Sequence, residues 1–178
     1  MNKKTKLVLA ILLIAAILLM QSGIALAYNT FNGHKLTYGV GNYGYNTQYY
    51  WIDSSASAYE SNINSAMSEW KYTTSYWGIT TPIWYNRTTV KSSSRMDIYK
   101  VSNINQWWGL TQFYNGSTQV DPYNTNWVWG KILLDGDFSN CPKQKAVIAH
   151  EMGHVMGLAH TSSYLNFLLH LNNQVLIY

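Results

Sequence analysis

His150-Glu151-Met152-Gly153-His154-Val155-Met156-Gly157-Leu158-Ala159-His160 decides how the rest of this 178-residue chain reads. His150 and His154 are four residues apart, so on an α-helix they share one face, one turn from each other. Two imidazoles placed that way can ligate one metal ion. Glu151 comes next in sequence and lies at the edge of that face, close to a metal yet free to act on a water. A catalytic zinc takes three protein ligands and keeps a fourth position open. His160 can be the third ligand only if the chain turns back, because a straight helix would carry it about 9 Å further along the axis at ~1.5 Å per residue. Gly157 supplies the turn, since glycine enters the left-handed conformation that ends helices at no steric cost. A lone histidine on an apolar face is ordinarily a core residue, and a bare HExxH arises by chance. Here HExxHxxGxxH fixes five positions over eleven residues in a chain with only five histidines. That specificity favours a metal site, with His150, His154 and His160 as ligands and Glu151 as the base.

The stretch resembles the zinc-binding signature of the metzincin metallopeptidases, most closely their matrixin-like branch. The resemblance implies an α+β, zincin-type fold: a twisted mixed five-stranded sheet with two long helices, the second carrying HExxH, and a shortened C-terminal subdomain. It also implies one catalytic Zn2+ and a polypeptide substrate that lies extended along an edge strand. By order along the chain, residues 110–115 would be that edge. The reaction implied is peptide-bond hydrolysis, with Glu151 acting first as general base and then as general acid. Metzincins also place a methionine in a tight turn after the third histidine. No methionine follows Met156, and from about Phe167 onward the chain reads as an atypical or truncated tail. Two other functions stay open at this point. One is a zinc-binding but inactive relative, and the other is an exported module that uses Tyr and Trp on cell-wall or glycan surfaces.

The start of the chain has the form of an export signal. Lys3, Lys4 and Lys6 precede an apolar run over residues 7–20, and the segment ends Ala25-Leu26-Ala27. The run is short of the ~20 residues that a spanning helix needs. Residues 1–27 are therefore expected to be a cleaved signal peptide, leaving a secreted domain over residues 28–178 with no membrane attachment. The charge follows the same division. The whole chain has 12 basic and 8 acidic residues; three of the basic ones lie in the leader, so 9 face 8 in the remainder, a net +1. That is no basic footprint for nucleic acid. A monomer is expected. Charge is sparse at 11% and aromatics are plentiful at 15%, so solubility rests on neutral polar groups. The single cysteine, Cys141, has no second cysteine in the sequence to pair with and reads as a free thiol, an intermolecular one, or one whose partner is missing.

Periodicity supplies the elements. Residues 35–40 alternate as a first strand, and residues 41–45 form a Gly/Asn-rich turn. Tyr59, Ile63, Ala66, Met67 and Trp70 form one stripe of a helix over 54–72. Ser57 and Glu60 have capping-box spacing, and residues 53–55 offer earlier caps. Strands are expected over 82–90, 95–101 and 127–134, the last ending at the turn Asp135-Gly136-Asp137, and residues 107–114 read as a further strand or a looped edge. In 95–101, Met96 and Ile98 fall on one face, Asp97 and Tyr99 on the other. The metal-site helix should begin near Pro142 and run to Met156. Asp135 and Asp137 could ligate a structural Ca2+, but two carboxylates are few for that ion and a turn accounts for them. His34 and His170 have no partner at ligand spacing.

Overall fold

The computed structural model describes residues 29–105 and 107–160. The expected leader over 1–27, the atypical tail from about 167, His170 and the turn after His160 lie outside the described residues. The fold is α+β. Six strands, β1 (Gln48–Ile52), β2 (Tyr85–Arg87), β3 (Met96–Lys100), β4 (Gly109–Asn115), β5 (Thr118–Val120) and β6 (Trp129–Leu134), form one mixed sheet in the order β2-β1-β3-β6-β4-β5. The first four in that order are parallel, and β4 runs antiparallel to both β6 and β5. The helices are α1 (Glu60–Lys71), α2 (Thr73–Trp77) and α3 (Gln144–Met156).

Three differences from the sequence expectation concern the sheet. The first strand is 48–52, not 35–40. Residues 35–40 touch the sheet region through a single parallel bridge, Leu36 to Trp127, and then turn where Gly39 N–H donates to the Leu36 carbonyl. The sheet has six strands, not five, because β4 folds back through Gly116-Ser117 into the three-residue β5. The expected strand over 82–90 shrinks to Tyr85–Arg87.

The helix expected over 54–72 is a 3-10 helix, Ser54–Tyr59, continuing into α1. Its cap is Asp53, whose Oδ1 accepts the Ser55 N–H at 2.9 Å, and not the Ser57–Glu60 pair. The stripe read from the sequence faces inward: Tyr59, Ile63, Ala66 and Met67 are buried, and Trp70 packs beside them. α1 and α3 lie side by side on one face of the sheet, with α3 over β4 and β6. Val147, Ile148, Met152 and Val155 of α3 meet Met96, Ile98, Phe113, Ile132 and Leu134 of the strands in one core. Each such side chain contributes roughly 1.5–3 kcal/mol on full burial. At Gly130 a Cβ would lie 2.6 Å from Val155 Cγ2, so β6 and α3 approach to a distance only glycine allows.

The acidic pair lies in the turn after β6. Asp135 Oδ1 accepts the Asp137 N–H at 2.9 Å, and Oδ2 accepts the Ile104 N–H at 2.8 Å. Those backbone donors, Asp137 first, hold the Asp135 carboxyl below its ordinary range. Both oxygens of Asp135 thus accept backbone N–H groups, one inside the turn and one from the loop at Ile104. Cys141, just before α3, is buried, and burial raises its thiol pKa.

Candidate metal centre

α3 ends as its sequence requires. Gly157 has φ 112° and ψ 8°, a left-handed conformation. Its N–H donates to the His154 carbonyl at 3.0 Å, and the Leu158 N–H donates to the Gly153 carbonyl at 3.0 Å. These two bonds form a Schellman motif, which satisfies the last-turn carbonyls and reverses the chain. The Val155 carbonyl, next in the series, accepts the indole Nε1–H of Trp127 at 2.9 Å. Reversal brings His160 back over the helix.

The three histidines converge. His160 Nε2 lies 3.0 Å from His150 Nε2 and 3.0 Å from His154 Nε2. A ligand nitrogen from each lies within 4.8 Å of the others, and this is the one such cluster among the described residues. A tetrahedral ion with bonds of ~2.0–2.1 Å would hold its nitrogens roughly 3.3 Å apart. The spacing therefore fits a small cation with little movement.

Protonation supports the fit. His154 Nδ1 lies 2.7 Å from the Leu158 carbonyl, which can only accept, so Nδ1 carries the hydrogen and the neutral ring presents a lone pair at Nε2. This is the outer hydrogen bond that orients metal-ligating histidines. Burial, followed by the neighbouring His154 and His160, pushes His150 down to about 3. Burial also lowers His154, with the nearby His160 adding to it. Both rings are neutral at physiological pH, as ligands must be. A single N–H at His160 Nε2 could serve only one of its two neighbours; one cation would serve all three. His150 and His154 are half-buried and His160 is exposed, so the cluster opens to solvent on one side. Three imidazoles suit Zn2+ and also other imidazole-binding transition metals.

Glu151 is buried at 6% exposure, and burial raises its pKa to about 7. Thr111, on β4, meets it. Thr111 Oγ1 lies 2.7 Å from Glu151 Oε2 and 3.0 Å from the Glu151 backbone oxygen. One hydroxyl can satisfy both protonation states of the acid. It donates to an ionised carboxylate, or it accepts from a protonated one while donating to the backbone carbonyl. Gly109 completes the contact: a Cβ there would lie 2.7 Å from Glu151 Cγ and 2.9 Å from Val147 Cγ1. The start of β4 thus lies directly against the acid. β5 pairs only with Phe113, Tyr114 and Asn115, which leaves residues 109–112 without a strand partner on the side away from β6, among the described residues.

Sequence spacing finds His150, Glu151, His154 and His160, and the structure brings the three histidines together with the glutamate on the same helix. It does not find Thr111, 40 residues from Glu151, nor Gly109, Trp127 or the Leu158 carbonyl. Gly109 alone carries a faint signal, as a glycine opening an expected strand. Thr111→Val should push the Glu151 pKa further up, because the hydroxyl bond lowers it. A hydrogen bond to a charged group is worth about 1.5–3 kcal/mol, so cleavage at pH 7 should fall about tenfold if Glu151 is the base. The acid limb of a kcat/KM profile should move to higher pH with metal content unchanged, and Thr111→Ser should restore the original limb. No protein-family model matches the chain, and no curated protein matches it.

Proposed function

We propose that this protein is a secreted zinc endopeptidase of metzincin type. The observation that carries the reading is the convergence of three imidazole Nε2 atoms on a helix end that also carries a buried glutamate, whose pKa burial raises to about 7. The element order supports it: a strand, a long and a short helix, two strands, the partly open strand β4 with its short return β5, a strand, then the HExxH helix. His150, His154 and His160 would hold the metal. Bound zinc lowers the pKa of a water towards ~7 and polarises a carbonyl. Glu151 would take the proton from the attacking water and pass it to the leaving amine. Thr111 holds the carboxyl in place through both states. Residues 109–112 offer main-chain N–H and C=O groups along which an extended peptide can pair. Within the expected 110–115 edge, Phe113 to Asn115 are already paired with β5, which confines substrate pairing to the first half. The leader over residues 1–27 would direct export. Among the described residues, no helix is long and apolar enough to cross a membrane.

A second reading has an observation of its own. Tyr72, Tyr76, Trp77 and Ile79 are exposed around α2, as are Tyr43 and Tyr45, a composition that suits stacking on glycans. Metal content and activity separate the readings. The purified protein should bind one zinc per chain and cleave casein, and His154→Ala should lose both. Stoichiometric zinc without cleavage would leave an inactive relative. Absence of zinc binding would remove both metal readings and leave the aromatic surface as the functional one.

A further inference from the structure

We propose that the amino-terminal strap, residues 29–31, is a positioning element for the third metal ligand, so that metal affinity depends on a segment 131 residues away in sequence. The inference rests on the metal-site reading above. His160 stands outside α3, three residues past Gly157, and its side chain is exposed. The Schellman turn fixes Leu158 but reaches no further. Beyond it the strap takes over. The Ala159 N–H donates to the Asn29 carbonyl at 2.7 Å, Asn29 Nδ2 donates to the His160 carbonyl at 3.2 Å, and Thr30 forms an antiparallel bridge with Leu158. Three consecutive residues that carry the ligand are thus stitched to one short segment.

The strap is itself anchored. Phe31 is buried and sits edge-on to Phe113 at 5.1 Å, Tyr123 at 5.1 Å and Trp127 at 5.5 Å, and its ring lies 6.2 Å from that of His154. Phe31 ties the strap to the same core that supports the helix ligands. An exposed imidazole on a short loop otherwise samples many positions, and each one away from the cluster lowers the fraction of chains ready to bind. Partners that orient ligands are typically worth 10–100-fold in metal affinity. Asn29 holds the backbone of His160, not its ring, which places its effect near tenfold.

The test uses the full chain and its Asn29→Ala and Asn29→Asp variants. Zinc affinity is measured by chelator competition, ligand geometry by the visible absorption of the Co2+ form, and folding by thermal melting without metal. Asn29 is exposed, so melting should stay within about 2 °C of wild type, as expected for one solvent-accessible hydrogen bond. Zinc affinity should fall about tenfold in Asn29→Ala. It should fall further in Asn29→Asp, whose carboxylate faces the His160 carbonyl. The Co2+ bands should weaken or shift in both variants. In a His160→Ala background, Asn29→Ala should have no additional effect on the remaining metal affinity, because the strap acts through His160. Wild-type zinc binding with Asn29→Ala within twofold of it would overturn the positioning role alone. The same loss from Asn29→Ala in the His160→Ala background would also overturn it and assign the strap a general structural role. A wild-type protein that binds no zinc would overturn the metal reading and the strap proposal together.

Discussion

Glu151→Gln is expected to lower peptide hydrolysis by about 10²–10⁴-fold while leaving bound zinc at the wild-type level, the range for loss of a positioned general base. Glutamine keeps the shape that β4 needs: a side chain that fills the space Gly109 leaves open, where a Cβ would stand 2.7 Å from the residue 151 Cγ. Its amide oxygen can still accept the Thr111 hydroxyl. It cannot take a proton from water. Equal zinc content with a cleavage rate within tenfold of wild type would remove Glu151 from the chemistry. The same substitution has a second consequence, in the stability of the metal-free protein. Burial raises the Glu151 pKa from 4.5 to about 7, so the folded state holds a proton that the unfolded state releases. Its contribution to stability is fully present below 4.5 and is lost as pH rises through 7. His150 has the opposite sign: lowered from 6.5 to about 3, it contributes above 6.5 and loses that contribution as pH falls towards 3. Glu151→Gln relieves only the alkaline loss. Urea titrations of the metal-free proteins should show the variant gaining on wild type between pH 4.5 and pH 8, and a constant difference across that range would contradict the burial argument.

The sequence exposes whatever is local and periodic. The inward stripe of α1 follows from residues 59, 63, 66, 67 and 70, because helical period puts them on one face regardless of what they meet. Gly157 is legible for a similar reason: a glycine at that place in the motif has one economical conformation, and φ 112° is that conformation. Gln48-Tyr49-Tyr50-Trp51-Ile52 is less legible. It is an interior parallel strand, paired on both sides, and its run of aromatics shows no alternation between polar and apolar residues. Residues 35–40 do alternate, yet they gain only one bridge, since alternation marks two unlike faces and not a pairing partner. The β4–β5 return is short, and its local signal is the two-residue loop Gly116-Ser117 between the paired Asn115 and Thr118. At the site, the candidate ligands are written in one eleven-residue stretch. Their supports are written elsewhere: Thr111 against Glu151, Asn29 against His160, and Trp127 against Val155. Those contacts depend on how strands, strap and helix pack, and nothing in local spacing encodes that.

Trp127→Ala should be the most damaging single truncation among the described residues, costing about 3–5 kcal/mol, the range for large aromatic side chains removed from a core. Trp127 is fully buried. Its ring packs against Phe113 at 4.8 Å and Phe31 at 5.5 Å, pairs that add to simple burial. Its backbone carbonyl accepts both the N–H and the hydroxyl of Thr37, at 2.7 and 2.9 Å, and alanine keeps those two bonds, so the loss is confined to the side chain. Its indole N–H covers the Val155 carbonyl, one of the four that a helix end leaves without an internal partner. Alanine would leave that carbonyl beside a cavity, which adds a desolvation cost to the lost packing. For a domain of this size the sum corresponds to a fall in Tm of roughly 6–20 °C. Trp127→Phe separates the two contributions. It keeps most of the apolar contact and loses only the donor, so it should cost less than Trp127→Ala by at least the difference in buried area. The damage should also reach the metal, because Val155 adjoins His154 and the reversal at Gly157 begins where Trp127 is bound. Zinc should stabilise Trp127→Ala less than wild type at equal free zinc, since stabilisation by a ligand follows its affinity for the folded state. A Trp127→Ala protein that melts within 2 °C of wild type would show that α3 is held by its apolar face alone. Unchanged stabilisation by zinc would show that the helix end and the ligands above it are not coupled.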